Sequence, residues 1–288
     1  MNGGRIKKIH SETVKPITNK NFDSKKVLGG AWLPEVYCNV GLIARKKSGK
    51  STVIYRCLEK CLSKDCKVYI FCSTVHIDST YKKMRKMLKK KGCDVESYEH
   101  FIDPDSGNHH LARIMKEIGN PEGVQRDPRK PEPELDIYQY MFEPQPDPDN
   151  PVRKKESKKQ QKKKISPEVC FIFDDLGNSM RDKYVTLLLQ RNRHLKAKVF
   201  MAMHSLNNLM PAGLQMLDNV LFFPNLSKEK IMEFQGKLGL HFKNDTKKDS
   251  IMCKLYDDAT KQKYNFLHYD HSNVQFRKNF NKLYIIDE

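Results

Sequence analysis

Long apolar runs are missing from this 288-residue sequence. No stretch approaches the roughly 18 consecutive apolar residues that a membrane-spanning helix needs, and the first residues lack the apolar core of a secretory leader. The 38% of hydrophobic and 9% of aromatic residues are nevertheless enough to fill the core of a folded domain. We therefore expect a soluble, unsecreted, folded protein with no membrane partner.

The sequence also lacks any pair of cysteines separated by two residues, the spacing typical of structural zinc sites. Its eight cysteines are instead dispersed through apolar or helical stretches. Four of them, Cys57, Cys61, Cys66 and Cys72, lie close enough in sequence to leave a zinc site as an alternative. The dispersal favours free thiols, and hence an intracellular, reducing compartment.

Acidic residues are scarce: 35 Asp and Glu stand against 53 Lys and Arg, which gives a formal charge of +18. Two runs, residues 82–91 and residues 153–164, carry +7 each and leave only +4 for the other 266 residues. Such runs are often solvated faces, but this excess is also typical of proteins that bind nucleic acid. The candidate DNA contacts in the first run are Lys82, Lys83, Arg85, Lys86, Lys89, Lys90 and Lys91.

Short apolar runs alternate with segments of helical periodicity along the chain. The pattern predicts strands at 36–44, 67–72, 95–101, 168–175, 198–204 and 220–223, helices at 51–63, 78–91, 109–118, 182–193 and 228–238, a further helix after Pro211, and a hairpin of 251–256 with 263–269. Strands that alternate with helices favour an α/β fold, with a mostly parallel central sheet flanked by helices.

Proline and lysine interrupt this pattern once. Eight prolines fall within the 31 residues from 121 to 151, and the second basic run follows directly. Such a composition cannot bury enough apolar surface to fold alone, so we predict a flexible insertion at about 120–166. The predicted domain spans 36–270 around it, with an N-terminal extension at 1–35 and a C-terminal tail at 271–288.

A phosphate-loop motif follows the first predicted strand. Residues 44–51 read ARKKSGKS, with alanine at the position of the first glycine. Backbone N–H groups of such a loop surround the phosphates of a nucleotide, the lysine reaches the β and γ phosphates, and the hydroxyl ligates Mg²⁺. The predicted ATP-binding residues are Ala44, Arg45, Lys46, Lys47, Ser48, Gly49, Lys50, Ser51 and Thr52.

Two acids end the predicted strand at 168–175. Taken alone, Asp174 and Asp175 fit a helix N-cap with a solvated neighbour; after a phosphate loop they fit a nucleotide site. We predict that Ser51 and Asp174 hold Mg²⁺, and that Asp175 orients and polarises an attacking water.

Further along the chain, His204 ends a strand and is a candidate sensor of the γ-phosphate, or an ordinary histidine at a strand end. Arg191 and Arg193 precede that strand. Either is a candidate arginine finger that reaches the γ-phosphate in a neighbouring subunit, with a surface salt bridge as the alternative for each. Together with Lys50 and Asp175, these three residues complete the predicted catalytic set.

Three segments, ARKKSGKST, FIFDDLG and QRNRHLKAKVFMAMHSLNNLMPAGLQMLDNVLFF, occur in an order that resembles the genome-packaging ATPases of large DNA viruses, virophages and related elements. This poxvirus, giant-virus and virophage type is a branch of the FtsK–HerA superfamily, and the resemblance covers about residues 36–225. Ala44 departs from the usual glycine, Asp175 from the glutamate of the wider superfamily, and His204 with Ser205 from the common glutamine.

The resemblance implies a P-loop NTPase core of the additional-strand type and assembly into a homo-oligomeric ring. It also implies ATP-driven translocation of double-stranded DNA into a preformed capsid, with viral capsid proteins as partners. The corresponding location is the viral factory in the host cytoplasm, or the virion.

Two other functions use some of the same residues. A small-molecule or nucleoside kinase would use the same loop and acid, although a proline-rich insertion is a poor substrate lid. A DNA-binding or capsid-binding protein with a degenerate nucleotide site is the non-enzymatic alternative.

Overall fold

The computed structural model describes residues 24–119, 164–242 and 250–286. Within these ranges the chain forms nine strands and seven α-helices. The strands are β1 (Asn39–Ile43), β2 (Lys67–Cys72), β3 (Asp94–Tyr98), β4 (Val169–Asp174), β5 (Ala197–Met203), β6 (Asn219–Phe222), β7 (Leu267–Asp270), β8 (Gln275–Lys278) and β9 (Lys282–Leu283). The helices are α1 (Lys50–Cys61), α2 (Ser79–Lys91), α3 (His110–Gly119), α4 (Lys183–Arg191), α5 (Pro211–Leu214), α6 (Lys228–Lys237) and α7 (Ile251–Thr260).

All nine strands belong to one sheet, in the order β3-β2-β4-β5-β1-β6-β7-β8-β9. The first six strands in this order run parallel, and the last three pair antiparallel. Strand β5 separates the strand before the phosphate loop from the strand that ends in the acids, since Met201 pairs with both Gly41 and Phe173. The predicted α/β fold, with an additional strand in a mostly parallel sheet, is confirmed.

Both faces of the central strands are buried, as their nearly uninterrupted apolar sequences predict for a parallel sheet. Helices α3, α4, α6 and α7 cover one face and include Ile114, Leu188 and Phe234 in its core. Helices α1 and α2 cover the other face, where Leu58 and Leu88 are fully buried.

The predicted hairpin of 251–256 with 263–269 is wrong. Its first arm lies in helix α7, where Met252, Tyr256 and Ala259 recur at helical spacing and are buried. Ser250 caps this helix by accepting a hydrogen bond from the backbone of Cys253 at 3.3 Å. The second arm contains β7, which pairs antiparallel with β6 and with β8.

The segments outside the predicted domain also contribute to the fold. Strands β8 and β9 lie in the segment predicted as a tail and extend the sheet. Near the other terminus, Val27 pairs with Ile165, Leu33 is fully buried, and the Trp32 ring stacks on Phe280 at 4.7 Å. Most of the predicted insertion lies outside the described residues, as does all of the second basic run except Lys164. The division into domains stays a prediction.

All eight cysteines are described, and each is a buried free thiol. In the ranges that the structure describes, no group of three or more His, Cys, Asp or Glu side chains is arranged to hold a metal ion. The longest described helix has 13 residues, and none of the described helices is long and apolar enough to cross a membrane.

Gly29 lies where the N-terminal segment packs closely on α1, so a substitution there can test this packing. A Cβ atom at Gly29 would lie 2.5 Å from Cys61 Sγ and 3.1 Å from the Lys60 carbonyl oxygen of α1, and its φ is +74°. Gly29→Ala should therefore destabilise the protein by about 2–4 kcal/mol, from overpacking and left-handed strain together, as measured by denaturant unfolding.

Gly107 provides a matched control. Its φ is +69°, but a Cβ atom there would meet nothing within 4 Å. Gly107→Ala should therefore cost only the backbone strain, about 1–2 kcal/mol. An equal loss in the two variants would contradict the packing of the N-terminal segment on α1.

Candidate nucleotide site

The phosphate loop connects β1 to α1 at the carboxyl edge of the sheet. Ala44 is still held by the sheet, because its N–H donates to the Met203 carbonyl at 2.9 Å. The loop then turns through two left-handed residues, Lys47 at φ 63° and Gly49 at φ 98°. Gly49 is the N-cap of α1 and supplies no side-chain cap, so the N–H groups of the first helical turn are left to bind an anion.

The Asp174 carboxylate lies at the end of β4, only 2% exposed. Lys50 Nζ approaches its Oδ1 atom at 2.9 Å, and the Ser51 hydroxyl donates to its Oδ2 atom at 3.2 Å. The phenol of Tyr81, in the first turn of α2, donates to the same Oδ2 atom at 2.5 Å. The fold thus brings the predicted lysine, serine and first acid together across 123 residues of sequence.

The residues present fit a bound Mg²⁺ ion. Asp174 Oδ1 is buried, and despite its ion pair with Lys50 it accepts no well-directed hydrogen bond from any described residue. It therefore has a free lone pair beside the Ser51 hydroxyl, and carboxylate and hydroxyl oxygens are the ligands that Mg²⁺ prefers. Two protein ligands are also sufficient, because Mg²⁺ usually completes its shell with waters and substrate phosphates.

The second acid, Asp175, adopts left-handed backbone geometry at φ 55°, which is uncommon for a residue other than glycine. Its carbonyl oxygen accepts a hydrogen bond from the Ser73 hydroxyl at 3.1 Å. The left-handed turn reverses the chain directly after β4 and leaves the Asp175 side chain 42% exposed, whereas that of Asp174 is only 3% exposed. Water can therefore reach Asp175.

His204 lies between the phosphate loop and Asp175. Its Nδ1 atom is 2.7 Å from the Ala44 carbonyl oxygen, and because a carbonyl can only accept, Nδ1 is the donor. Its Nε2 atom is 3.9 Å from Asp175 Oδ1. The imidazole therefore connects the loop to the second acid, as its position at the end of β5 predicts, and its role as a sensor stays a prediction.

Other predicted loop residues differ in exposure. Arg45, Lys46, Lys47 and Thr52 are exposed. Ser48 is buried, and its hydroxyl has no hydrogen-bond partner within the part of the chain that the structure describes.

Two tyrosines at the site were not predicted from the sequence. Tyr81 falls on the apolar side of its helix, and because a buried phenol usually needs a hydrogen-bond partner, its position is a usable signal. Burial, followed by the charge of Asp174, raises the pKa of Tyr81, so the phenol keeps its proton and donates. Tyr264 lies against the loop, where a Cβ atom at Gly49 would meet its ring at 3.0 Å, and nothing in the sequence pattern indicates this contact.

Seven basic residues of α2 were predicted to contact DNA, and five of them are exposed: Lys82, Lys83, Lys86, Lys89 and Lys90. The Arg85 guanidinium is 3.4 Å from His76 Nδ1. Lys91 is half-buried and donates to the Glu59 carbonyl at 2.5 Å and to the Leu58 carbonyl at 3.4 Å, at the end of α1. Lys91 thus holds two helices together in this structure.

The two arginines predicted as fingers lie away from the phosphate loop of their own chain. Arg191 is exposed at the end of α4. Arg193 approaches Glu35 at 3.5 Å and Asp218 at 3.7 Å, beside the start of β1 and therefore at the opposite edge of the sheet. Neither contributes to the site in its own chain.

Known proteins resemble this chain only distantly. No protein-family model matches the sequence, and no curated protein matches it. The chain is similar to a solved structure of the genome packaging NTPase B204 from Sulfolobus turreted icosahedral virus 2 in complex with AMP, at 14% identity and a TM-score of 0.49, over 85% of this chain and 98% of that chain.

Two other solved structures give similar values. The DNA-packaging ATPase B204 from Sulfolobus turreted icosahedral virus matches at 15% identity and a TM-score of 0.46, over 84% of this chain and 96% of that chain. The cytoplasmic domain of the type VII secretion ATPase EccC from Thermomonospora curvata matches at 14% identity and a TM-score of 0.42, over 87% of this chain and 26% of that chain.

Asp218, the partner of Arg193, gives a test of the electrostatics at the opposite edge of the sheet. Its Oδ2 atom accepts a hydrogen bond from the Asn39 backbone at 2.7 Å. Burial raises the pKa of Asp218 from 3.8 to about 6; the charges of Glu35 and Asp270 act in the same direction, and the Asn39 hydrogen bond and Arg193 oppose it.

Replacing Asp218→Asn should stabilise the protein by about 1–3 kcal/mol near pH 8, since it removes a buried charge and keeps an oxygen that accepts from Asn39. The folded state holds this proton more tightly than the unfolded state, so the stabilisation from the protonated carboxyl is complete below about pH 4 and is lost as pH rises through about 6. The advantage of the variant should therefore vanish near pH 4 in denaturant unfolding. The same advantage at both pH values would contradict the raised pKa.

Proposed function

We propose that this chain is a Mg²⁺-dependent ATPase that translocates double-stranded DNA, and that it packages a viral genome into a capsid. The observation that carries the proposal is the meeting of the phosphate loop with the acid pair across β5, with Lys50 Nζ 2.9 Å from Asp174. Phosphate binding, metal binding and activation of the attacking water each have a candidate residue at this one edge of the sheet.

The residues of the site have different roles, which follow from their charge and exposure. Lys50 and the backbone N–H groups of the loop bind the phosphates, and Ser51 with Asp174 would hold Mg²⁺. When bound, the metal neutralises part of the charge on the phosphates. Asp175, which is 42% exposed, polarises the attacking water, and His204 reports the γ-phosphate from its position between the loop and Asp175.

Helix α2 supports DNA as the second substrate. Its exposed lysines follow directly after Tyr81, which contacts Asp174, so the positive surface begins at the nucleotide site. A translocase must hold duplex DNA without regard to sequence, and lysines that contact phosphates supply affinity without base readout. The second basic run, of which only Lys164 is described, is proposed as a tether for DNA or capsid.

Assembly into a ring is part of the proposal, because a finger residue has to come from another subunit. Arg191 and Arg193 are exposed at the edge opposite their own loop, so either one requires a neighbouring chain to reach a γ-phosphate. The proposed partners are a homo-oligomeric ring, double-stranded DNA and viral capsid proteins. The proposed location is the viral factory of the host cytoplasm, or the virion.

Two substitutions separate binding from hydrolysis. Lys50→Ala should weaken binding of a fluorescent ATP analogue at least about tenfold, because it removes the cation that faces the phosphates. Asp175→Asn should leave that affinity within about threefold and lower ATP turnover by about 10²–10⁴, since it removes the base that polarises water. Lys60→Ala, an exposed lysine at the far end of α1 from the loop, is the matched control for both measurements. Unchanged turnover in both test variants would support a degenerate nucleotide site.

Duplex DNA should stimulate ATP turnover, and the stimulation should fall with added salt. The triple variant Lys82→Glu, Lys86→Glu and Lys89→Glu should weaken duplex binding and reduce the slope of log affinity against log salt by up to about 3. A control triple, Lys116→Glu, Lys261→Glu and Lys282→Glu, changes the same charge at exposed positions elsewhere and should have little effect. A wild-type rate that no duplex stimulates at any salt concentration would favour the kinase alternative.

A further inference from the structure

The phenol of Tyr81 is the one described contact to Asp174 that comes from outside the phosphate loop. Among the described residues, three side chains contact this carboxylate, and the other two, Lys50 and Ser51, belong to the loop and α1. Tyr81 is 1% exposed and packs in the apolar core beneath α1 and α2 with Met84. Its ring is therefore held in the core, and its hydroxyl reaches Asp174 with Ser51 beside it.

The three contacts differ in what else they must do. In the proposed function, Lys50 faces the phosphates and has to turn from Asp174 when a nucleotide binds, and the Ser51 oxygen would also ligate the metal. Tyr81 has no such second task, and its buried ring keeps the phenol beside Asp174. The phenol can therefore keep the Asp174 carboxylate oriented whether or not the site is loaded.

The segment before Tyr81 also contacts the second acid. Residues 73–81 connect β2 to the first turn of α2, and Ser73 at the beginning of this segment donates to the Asp175 carbonyl at 3.1 Å. His76, in its middle, lies 3.4 Å from Arg85 of α2. One short segment thus contacts both acids and leads directly into the helix with the exposed lysines.

We propose that Tyr81 is a positioning residue that fixes the Asp174 carboxylate and links it to α2, so that binding of the metal–nucleotide complex and binding of duplex DNA are thermodynamically coupled. The inference rests on the proposed function. Coupling of this kind is reciprocal: the factor by which metal–nucleotide changes duplex affinity equals the factor by which duplex changes nucleotide affinity.

The test compares the wild type with Tyr81→Phe, which removes one hydroxyl and keeps the ring. Tyr284→Phe is the matched control, because the Tyr284 phenol also donates to a carboxylate, that of Asp258, at 2.7 Å. Two quantities are measured without hydrolysis. The first is the Mg²⁺ concentration for half-maximal binding of a fluorescent, non-hydrolysable ATP analogue. The second is the coupling factor, the ratio of duplex Kd values without and with Mg²⁺ and that analogue.

We expect Tyr81→Phe to leave analogue affinity without Mg²⁺ within about twofold of wild type, because the phenol faces the carboxylate. We expect the Mg²⁺ concentration at half-saturation to rise about three- to tenfold, which corresponds to the net contribution of one typical hydrogen bond. The coupling factor should fall toward one. Tyr284→Phe should retain both wild-type values.

Several outcomes would overturn the inference. Wild-type values of both quantities in Tyr81→Phe would do so, and so would equal shifts in the two tyrosine variants. A wild-type coupling factor of one, with nucleotide and duplex both bound, would refute the coupling and leave the proposed ATPase intact. If the wild type binds nucleotide but no duplex, the proposed translocase function is wrong. In that case the positioning role is tested by the Mg²⁺ concentration at half-saturation alone, and an unchanged value in Tyr81→Phe refutes it.

A second variant covers the case in which Tyr81→Phe unfolds. Ser73→Ala removes the contact of the same segment with Asp175 and leaves all three contacts to Asp174 in place. It should lower the coupling factor without changing the Mg²⁺ half-saturation. A wild-type coupling factor in this variant would count against coupling through residues 73–81.

Discussion

A carboxylate that is almost completely buried at the end of β4 is the constraint around which this site is organised. A charge removed from water is costly unless ion pairs and hydrogen bonds replace its hydration, and Asp174 obtains these from a lysine, a serine and a tyrosine. Those donors come from α1 and α2, which cover the same face of the sheet. The positions of both helices relative to β4 are therefore linked to one charged group.

The order of the strands explains how such distant residues meet. The carboxyl ends of parallel strands all lie at one edge, so β1, β4 and β5 deliver the phosphate loop, the acid pair and His204 to neighbouring places. Strand β5 lies between β1 and β4 and so sets the distance between the phosphate loop and the acids. His204, the residue after β5, lies in the space between them, near both Ala44 and Asp175. The second acid adds a local strain, a left-handed turn, which directs its side chain away from the buried one.

Much of this could be predicted from the sequence, because local signals are strong where strands are buried and motifs are short. The bounds of β2 were predicted without error, and those of α2 to within one residue. The prediction failed at residues 251–260, where a half-apolar segment fits either a strand or a helix, and packing of Met252 and Tyr256 on the sheet decides for the helix. The contacts of Tyr81 and Tyr264 depend on strand order and loop conformation, which no local pattern contains.

Helix α2 is attached at both of its ends. Tyr81 holds its first turn to β4, and Lys91 holds its last turn to the carbonyls that end α1. A helix of 13 residues is about 20 Å long and stiff, so a displacement of one attached end moves the helix as a rigid unit. Tyr81 and Lys91 are about 15 Å apart along the axis, so a shift of about 1 Å at Tyr81, with the Lys91 end fixed, tilts the helix by about 4°. The lysines nearest Tyr81 then travel furthest, and those beside Lys91 hardly move, so a small change at the nucleotide site becomes a graded displacement along the positive face.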